Sequence, residues 1–201
     1  MHALLSAPDC STWIGRRDNA ILTIALQTGL RSSEIVNLKC YDVVFNTGAH
    51  IKCEGKGRKQ RATPLIPETA VVMKHWLKER RGSDHDTLFP TIRGDKMSRD
   101  ALEYLVKRHV QTASKSCSTL IEKRISPHVL RHSAAMNLLH HGVDQTVIAL
   151  WLGHESVETT QIYIHADMEL KEKALAKLSK SNVKLARYKP DDKLLSFLEN
   201  L

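Results

Sequence analysis

The sequence predicts a mainly helical domain carrying a small three-stranded antiparallel β-sheet, an α+β fold. Three observations predict it. Apolar residues recur at helical spacing through most of the chain. One stretch, residues 43–65, instead carries short β-prone runs split by turn compositions. Serine, proline and glycine fall where helices begin and end.

The elements follow in order. Ile14, Ile21, Leu22, Ala25 and Leu26 form a helical stripe that closes at Gly29. A second helix starts at Ser32 and carries Glu34, Ile35 and Leu38, which leaves Arg31 at a helix–helix corner. Val43–Phe45, Ile51–Cys53 and Ala62–Leu65 read as strands, with Lys56 at a hairpin tip in Gly55-Lys56-Gly57. Pro67 opens a helix whose face is Val72, Met73, Trp76 and Leu77, stopped by Gly82. Ser98 caps the next, carrying Leu102, Leu105, Val106, His109 and Val110. The polar stretch 114–124 reads as a loop. Ser126-Pro127 opens a helix ending at His141-Gly142, and Asp144 caps one ending at Gly153. Ser156 caps a helix carrying Tyr163, and an amphipathic helix spans 166–180. The tail, 182–201, displays Leu194, Leu195, Leu198 and Leu201 on one face. A helix that short must dock, either on its own domain or on a neighbouring copy.

Composition narrows the function. A chain of 201 residues, 42% of them hydrophobic, is one ordinary domain or one domain with a tail. Lysine and arginine number 30 against 22 acidic residues, a formal charge of +8, which favours a polyanionic partner. Aromatics are only 5%, too few for stacking along a single strand, so duplex phosphates in a basic groove fit better. Cys10, Cys40, Cys53 and Cys117 are scattered without a CxxC pair, the pattern of reduced thiols in a cytosolic, nucleoid-associated protein. No apolar run is long enough to span a bilayer, and the first residues lack the pattern of a signal peptide.

Arg31, Lys56, His128, Arg131, His154 and Tyr163 form a set suited to attack on a phosphodiester without a metal. Such a centre resists nucleophiles because its oxygens are negative, and its transition state gathers more charge. Arginine supplies a permanent cation with a planar fork that fits phosphate, the role for Arg31 and Arg131. His128 and Arg131, three apart, share a face at a helix N-terminus, itself favourable to an anion. Tyr163 is the candidate nucleophile. A free tyrosine has a pKa of about 10, so this role requires a base, for which His128 is the best residue type, and cationic neighbours. Lys56 can protonate the departing oxygen. His154 follows a helix-ending glycine at the rim of the same pocket. Each residue taken singly has an ordinary structural alternative: a packing tyrosine, a capping histidine, a solvated turn lysine, a salt-bridged arginine. His128 and His132 have metal-ligand spacing, but Val129 stands where the zinc protease pattern needs Glu, and no third ligand follows. No metal and no cofactor are expected.

In this order the motifs resemble the tyrosine recombinase (phage integrase) family from about Asp9 to Lys180. The matching blocks are Thr28–Ile35, Gly55–Arg61, His128–Ser133, Leu152-Gly153-His154 and Thr159–His165. The resemblance implies a catalytic domain over residues 1–180, with 181–201 a linker and tail. It also implies that Tyr163 attacks DNA to form a 3′-phosphotyrosine link and free a 5′ hydroxyl, without ATP. Arg31, Lys56, His128, Arg131 and His154 then take the roles above. It further implies a tetrameric synapse on double-stranded DNA, exchanging strands for integration, excision or transposition of a mobile element. The segment after the tyrosine helix would dock on a neighbouring protomer. The chain opens almost at the first catalytic helix, so the family's N-terminal core-binding domain is expected to be absent, whether in a fragment or in a naturally short member. Two other readings share the residues: a type IB topoisomerase-like relaxing enzyme, and a DNA-binding regulator without strand exchange.

Overall fold

The computed structural model describes residues 2–46, 48–55 and 60–153. Lys56, His154, the expected helix carrying Tyr163, the helix over 166–180, the tail and the boundary near residue 180 lie outside the described residues. Within them the fold is the expected one: helices around a small antiparallel sheet.

A short α1 (His2–Leu5), which the sequence pattern does not announce, buries Leu4 against the core. Helix α2 (Trp13–Thr28) is the central element. Thr12 caps it, its hydroxyl accepting from the Gly15 amide at 3.0 Å. Its buried stripe includes Ile21, Leu22 and Ile24, and it packs on both α4 (Pro67–Arg80) and α6 (Pro127–His140). Helix α3 (Ser32–Asn37) follows after a sharp corner, and a 3-10 turn over Cys40–Asp42 leads into the sheet.

Strands β1 (Val43–Val44), β2 (His50–Glu54) and β3 (Gln60–Pro64) lie in that order, both pairs antiparallel. Val43 pairs with Ile51, and Cys53 with Arg61. Alternation puts Ile51 and Cys53 inward and Lys52 and Glu54 outward. Burial pushes the Cys53 thiol up to about 11, so it is a packing group rather than a nucleophile. Pro64, which cannot donate to a ladder, sits at the end of an edge strand.

Helix α4 buries Met73 and Trp76. The Trp76 indole donates to the Leu88 carbonyl at 2.9 Å and packs between Trp13 and Phe89. The expected stop at Gly82 is corrected by one residue. Arg81 takes the left-handed conformation (φ 51°), because its amide is the one that returns to the Leu77 carbonyl. Helix α5 (Arg99–Ser114) begins at the expected Ser98 cap and buries the expected Leu102, Leu105, Val106, His109 and Val110. A buried ion cluster ties it to α2. Asp18, fully buried, accepts from Arg17 at 2.8 Å and Arg108 at 2.6 Å, and the His109 ring lies 2.8 Å away. Burial alone would raise the Asp18 pKa. The hydrogen bonds and charges of His109 and Arg17 outweigh it and hold the carboxyl below its usual range.

The 115–126 stretch is irregular apart from a 3-10 turn over Ser118–Leu120. Ser126 and Pro127 open α6, and Asp144 caps α7 (Gln145–Leu152). No helix among the described residues is long and apolar enough to cross a membrane.

Gly29 is where α2, α6 and α7 meet. It is left-handed (φ 64°), and its amide returns to the Ala25 carbonyl at 3.2 Å. A Cβ there would come within 2.7 Å of a Leu152 methyl and 3.2 Å of the Ala134 Cβ. Gly29→Ala therefore combines left-handed strain with overpacking and should cost about 2–4 kcal/mol in urea denaturation. A loss below about 0.5 kcal/mol, the range of ordinary surface substitutions, would show that this junction is not close-packed.

Candidate active site

A helix leaves its last carbonyls without intrahelical donors, and they form the negative end of its dipole. At the end of α7 every one of these groups has a partner. Gly153, left-handed at φ 65°, returns its amide to the Ala149 and Leu150 carbonyls. The next three carbonyls each receive a different arginine. Arg61 Nε donates to Trp151 O at 3.1 Å, Arg131 Nη2 to Leu152 O at 2.8 Å, and Arg31 Nη2 to Gly153 O at 2.9 Å.

These arginines arrive from three elements. Arg31 occupies the N-cap position of α3, Arg61 lies in β3, and Arg131 is one turn into α6. Arg131 also donates to Gly29 O at 2.7 Å, so one guanidinium joins the ends of α2 and α7. The Trp151 indole reinforces that join by donating to Thr28 O at 3.0 Å. Arg131 is only 6% exposed, whereas the Arg31 side chain is 35% exposed.

Glu34 is the carboxylate of the corner. Buried to 3% exposure, it takes a bidentate pair from Arg61 (2.7 and 2.8 Å), the Arg31 backbone amide (2.6 Å) and Arg31 Nη1 (3.1 Å). Burial alone would push its pKa up. Hydrogen bonds from Arg61 and the Arg31 amide, with both positive charges, more than offset this and hold the carboxyl below the usual glutamate range. Among the described residues the corner gathers three guanidinium groups and the Glu34 carboxylate.

Of the six residues expected from sequence, the structure brings Arg31 and Arg131 together at the end of α7. His128 stands one turn before Arg131, exposed in the first turn of α6. His132 is exposed, consistent with its position one residue round from Arg131. Lys56, His154 and Tyr163 lie outside the described residues. Gly153, whose carbonyl Arg31 holds, directly precedes His154 in sequence. Sequence reasoning assigned no role to Glu34 or Arg61. A glutamate three residues after Arg31 was the available local signal, since that is the helix position from which a carboxylate reaches back to the N-cap amide.

Comparison with known proteins identifies the family. The model described as the phage integrase family matches residues 1–169. Integrase/recombinase y4rC of Sinorhizobium fredii is 54% identical over 201 residues, 100% of this chain and 60% of that protein. Tyrosine recombinase XerD of Ralstonia nicotianae is 40% identical over 174 residues, 84% of this chain and 54% of that protein. The chain thus spans less than two thirds of either relative. Among solved structures, the XerH site-specific recombinase bound to its palindromic difH substrate, a post-cleavage complex, superposes with a TM-score of 0.73. It is 29% identical, over 89% of this chain and 51% of that one.

Glu34→Ala would leave Arg61 buried without its carboxylate and should cost about 3–5 kcal/mol in chemical denaturation. Because the folded carboxyl is depressed, its stabilisation is complete above the ordinary glutamate pKa and lost as pH falls through the folded value. The stability difference between wild type and Glu34→Gln should therefore be largest near neutrality and shrink in acid. A difference independent of pH would contradict the ion pairing.

Proposed function

The chain belongs to the phage integrase family, and from that premise we propose that it is a site-specific DNA recombinase working through a covalent tyrosine intermediate. The observation that carries the proposal is the corner where Arg31 and Arg131 meet, a preorganised pair of cations leading directly into His154. A formal charge of +8 supports double-stranded DNA as the partner.

In the proposed reaction, Arg31 and Arg131 hold the non-bridging oxygens of the scissile phosphate. The Tyr163 phenolic oxygen attacks phosphorus and loses its proton to a base, for which His128 is the candidate. The bond to the 5′ oxygen breaks, Lys56 delivers the proton to that oxygen, and a 5′ hydroxyl departs. The products are a 3′-phosphotyrosine link and a free end. A 5′ hydroxyl from another strand reverses the step, so the phosphodiester is conserved and neither ATP nor a metal ion is consumed. His154 supplies a further hydrogen bond to the phosphate. Arginine suits these roles because its charge is permanent and already in place when the transition state forms. Residues 1–180 form the catalytic domain in this account, 181–201 a linker and docking tail, and four protomers assemble on two duplexes. Integration, excision or transposition of a mobile element is the corresponding biological role.

A pool of nicked suicide duplexes of varied sequence tests the proposal. Wild type should yield a denaturation-resistant protein–DNA adduct whose sequencing identifies the site. Tyr163→Phe should bind the same duplex and form no adduct. An adduct at near wild-type yield in the phenylalanine variant would refute the assignment of the nucleophile. Relaxation of a supercoiled plasmid lacking paired sites would favour a topoisomerase-like reading. Tight binding with Tyr163 intact but no adduct would favour a regulator.

A further inference from the structure

Arg61 takes no part in the chemistry above, yet it ties the carboxylate of the corner to the end of α7. It bonds both oxygens of Glu34, 27 residues earlier, and the carbonyl of Trp151, 90 residues later. Its side chain is only 13% exposed. Gly153 lies directly against it: a Cβ at Gly153 would come within 2.9 Å of Arg61 Nη1 and 3.1 Å of its Cζ. One oxygen of Glu34 receives both Arg61 Nη1 and Arg31 Nη1, and the other receives Arg61 Nη2 and the Arg31 amide. The fork of Arg61 therefore sets the plane of the carboxylate, and that plane sets where Arg31 sits.

The geometry points to Arg61 as a positioning residue for strand cleavage: it fixes Arg31 through Glu34, fixes the end of α7 that leads into His154, and touches no DNA itself. This deepens the cleavage reading above and rests on it. Three of its N–H groups are already committed within the protein, and its burial leaves little of it to meet a duplex. Lysine cannot replace it, because an ammonium lacks the planar fork that holds a carboxylate in one orientation while a third N–H reaches a carbonyl. Catalysis is sensitive to such placement: a shift of ~1 Å in a reacting or stabilising group costs on the order of a hundredfold in rate.

The test uses the full chain and the duplex captured by wild type. Arg61→Lys keeps a positive charge beside Glu34, and the double variant Arg61→Met with Glu34→Gln removes both charges at similar volume. The second therefore carries the test if the first does not fold. Single-turnover adduct formation at saturating protein should fall about tenfold to a hundredfold in either variant, while the Kd for the duplex stays within about threefold of wild type. Cleavage by Arg61→Lys at the wild-type rate overturns the proposal while leaving the cleavage reading intact. A Kd that weakens in step with the rate overturns it too, since Arg61 would then be a DNA contact. Absence of any adduct with wild type refutes the cleavage reading, and this inference falls with it.

Discussion

The end of α7 is the constraint on which the rest of the corner depends. Eight residues make a marginal helix by themselves, and their terminal carbonyls need donors once the helix end packs beside Gly29 and against α6. Those donors are Arg61, Arg131 and Arg31, in that order along Trp151, Leu152 and Gly153. A helix C-terminus attracts cations. Here that attraction draws three guanidinium groups from β3, α6 and α3 into one place. On the proposed reading, two of the cations gathered to satisfy these backbone oxygens, Arg31 and Arg131, are the ones that hold the scissile phosphate.

Gathered arginines repel one another, and Glu34 makes the cluster tolerable. It is ionised, buried and shared between Arg31 and Arg61. Arg131 donates to carbonyls of two helix ends, which fix the orientation of its guanidinium group. The buried cluster around Asp18 does comparable work in the scaffold, joining α2 to α5. It holds the long central helix in place while its other end, at Thr28 and Gly29, accepts bonds from Trp151 and Arg131. The sheet contributes through Arg61, which brings β3 to the end of α7.

The features legible in the sequence are those whose cause is local. Ser98, Ser126 and Asp144 cap helices because their side-chain oxygens reach amides two or three residues on. Gly29 and Gly153 stop helices because the left-handed conformation suits glycine. Arg31 and Arg131 were legible as a pair from their motifs. Their meeting place, the end of α7, was not, because those bonds span 122 and 21 residues. Arg61 belongs to the Gly55–Arg61 motif, but its role is not legible there, since its partners Glu34 and Trp151 lie 27 and 90 residues away. Arg81 in place of Gly82 as the stop of α4 shows the converse limit. Which amide closes the last turn is decided by helix length, and the cost of a left-handed arginine, about 1–2 kcal/mol, is small enough to be absorbed.

The central claim is that the corner exists to meet the negative charge of a phosphate. Replacing the scissile phosphate by an uncharged methylphosphonate tests it directly, because the substitution removes the charge that an arginine is there to balance. Arg31 is the residue to vary, since its side chain is 35% exposed and its loss disturbs the scaffold less than that of Arg131. The account predicts that Arg31→Ala loses roughly a hundredfold in adduct formation on the phosphate and recovers most of that deficit, relative to wild type, on the methylphosphonate. An equal deficit on both substrates would contradict it, assigning Arg31 to the architecture of the corner and not to the phosphate.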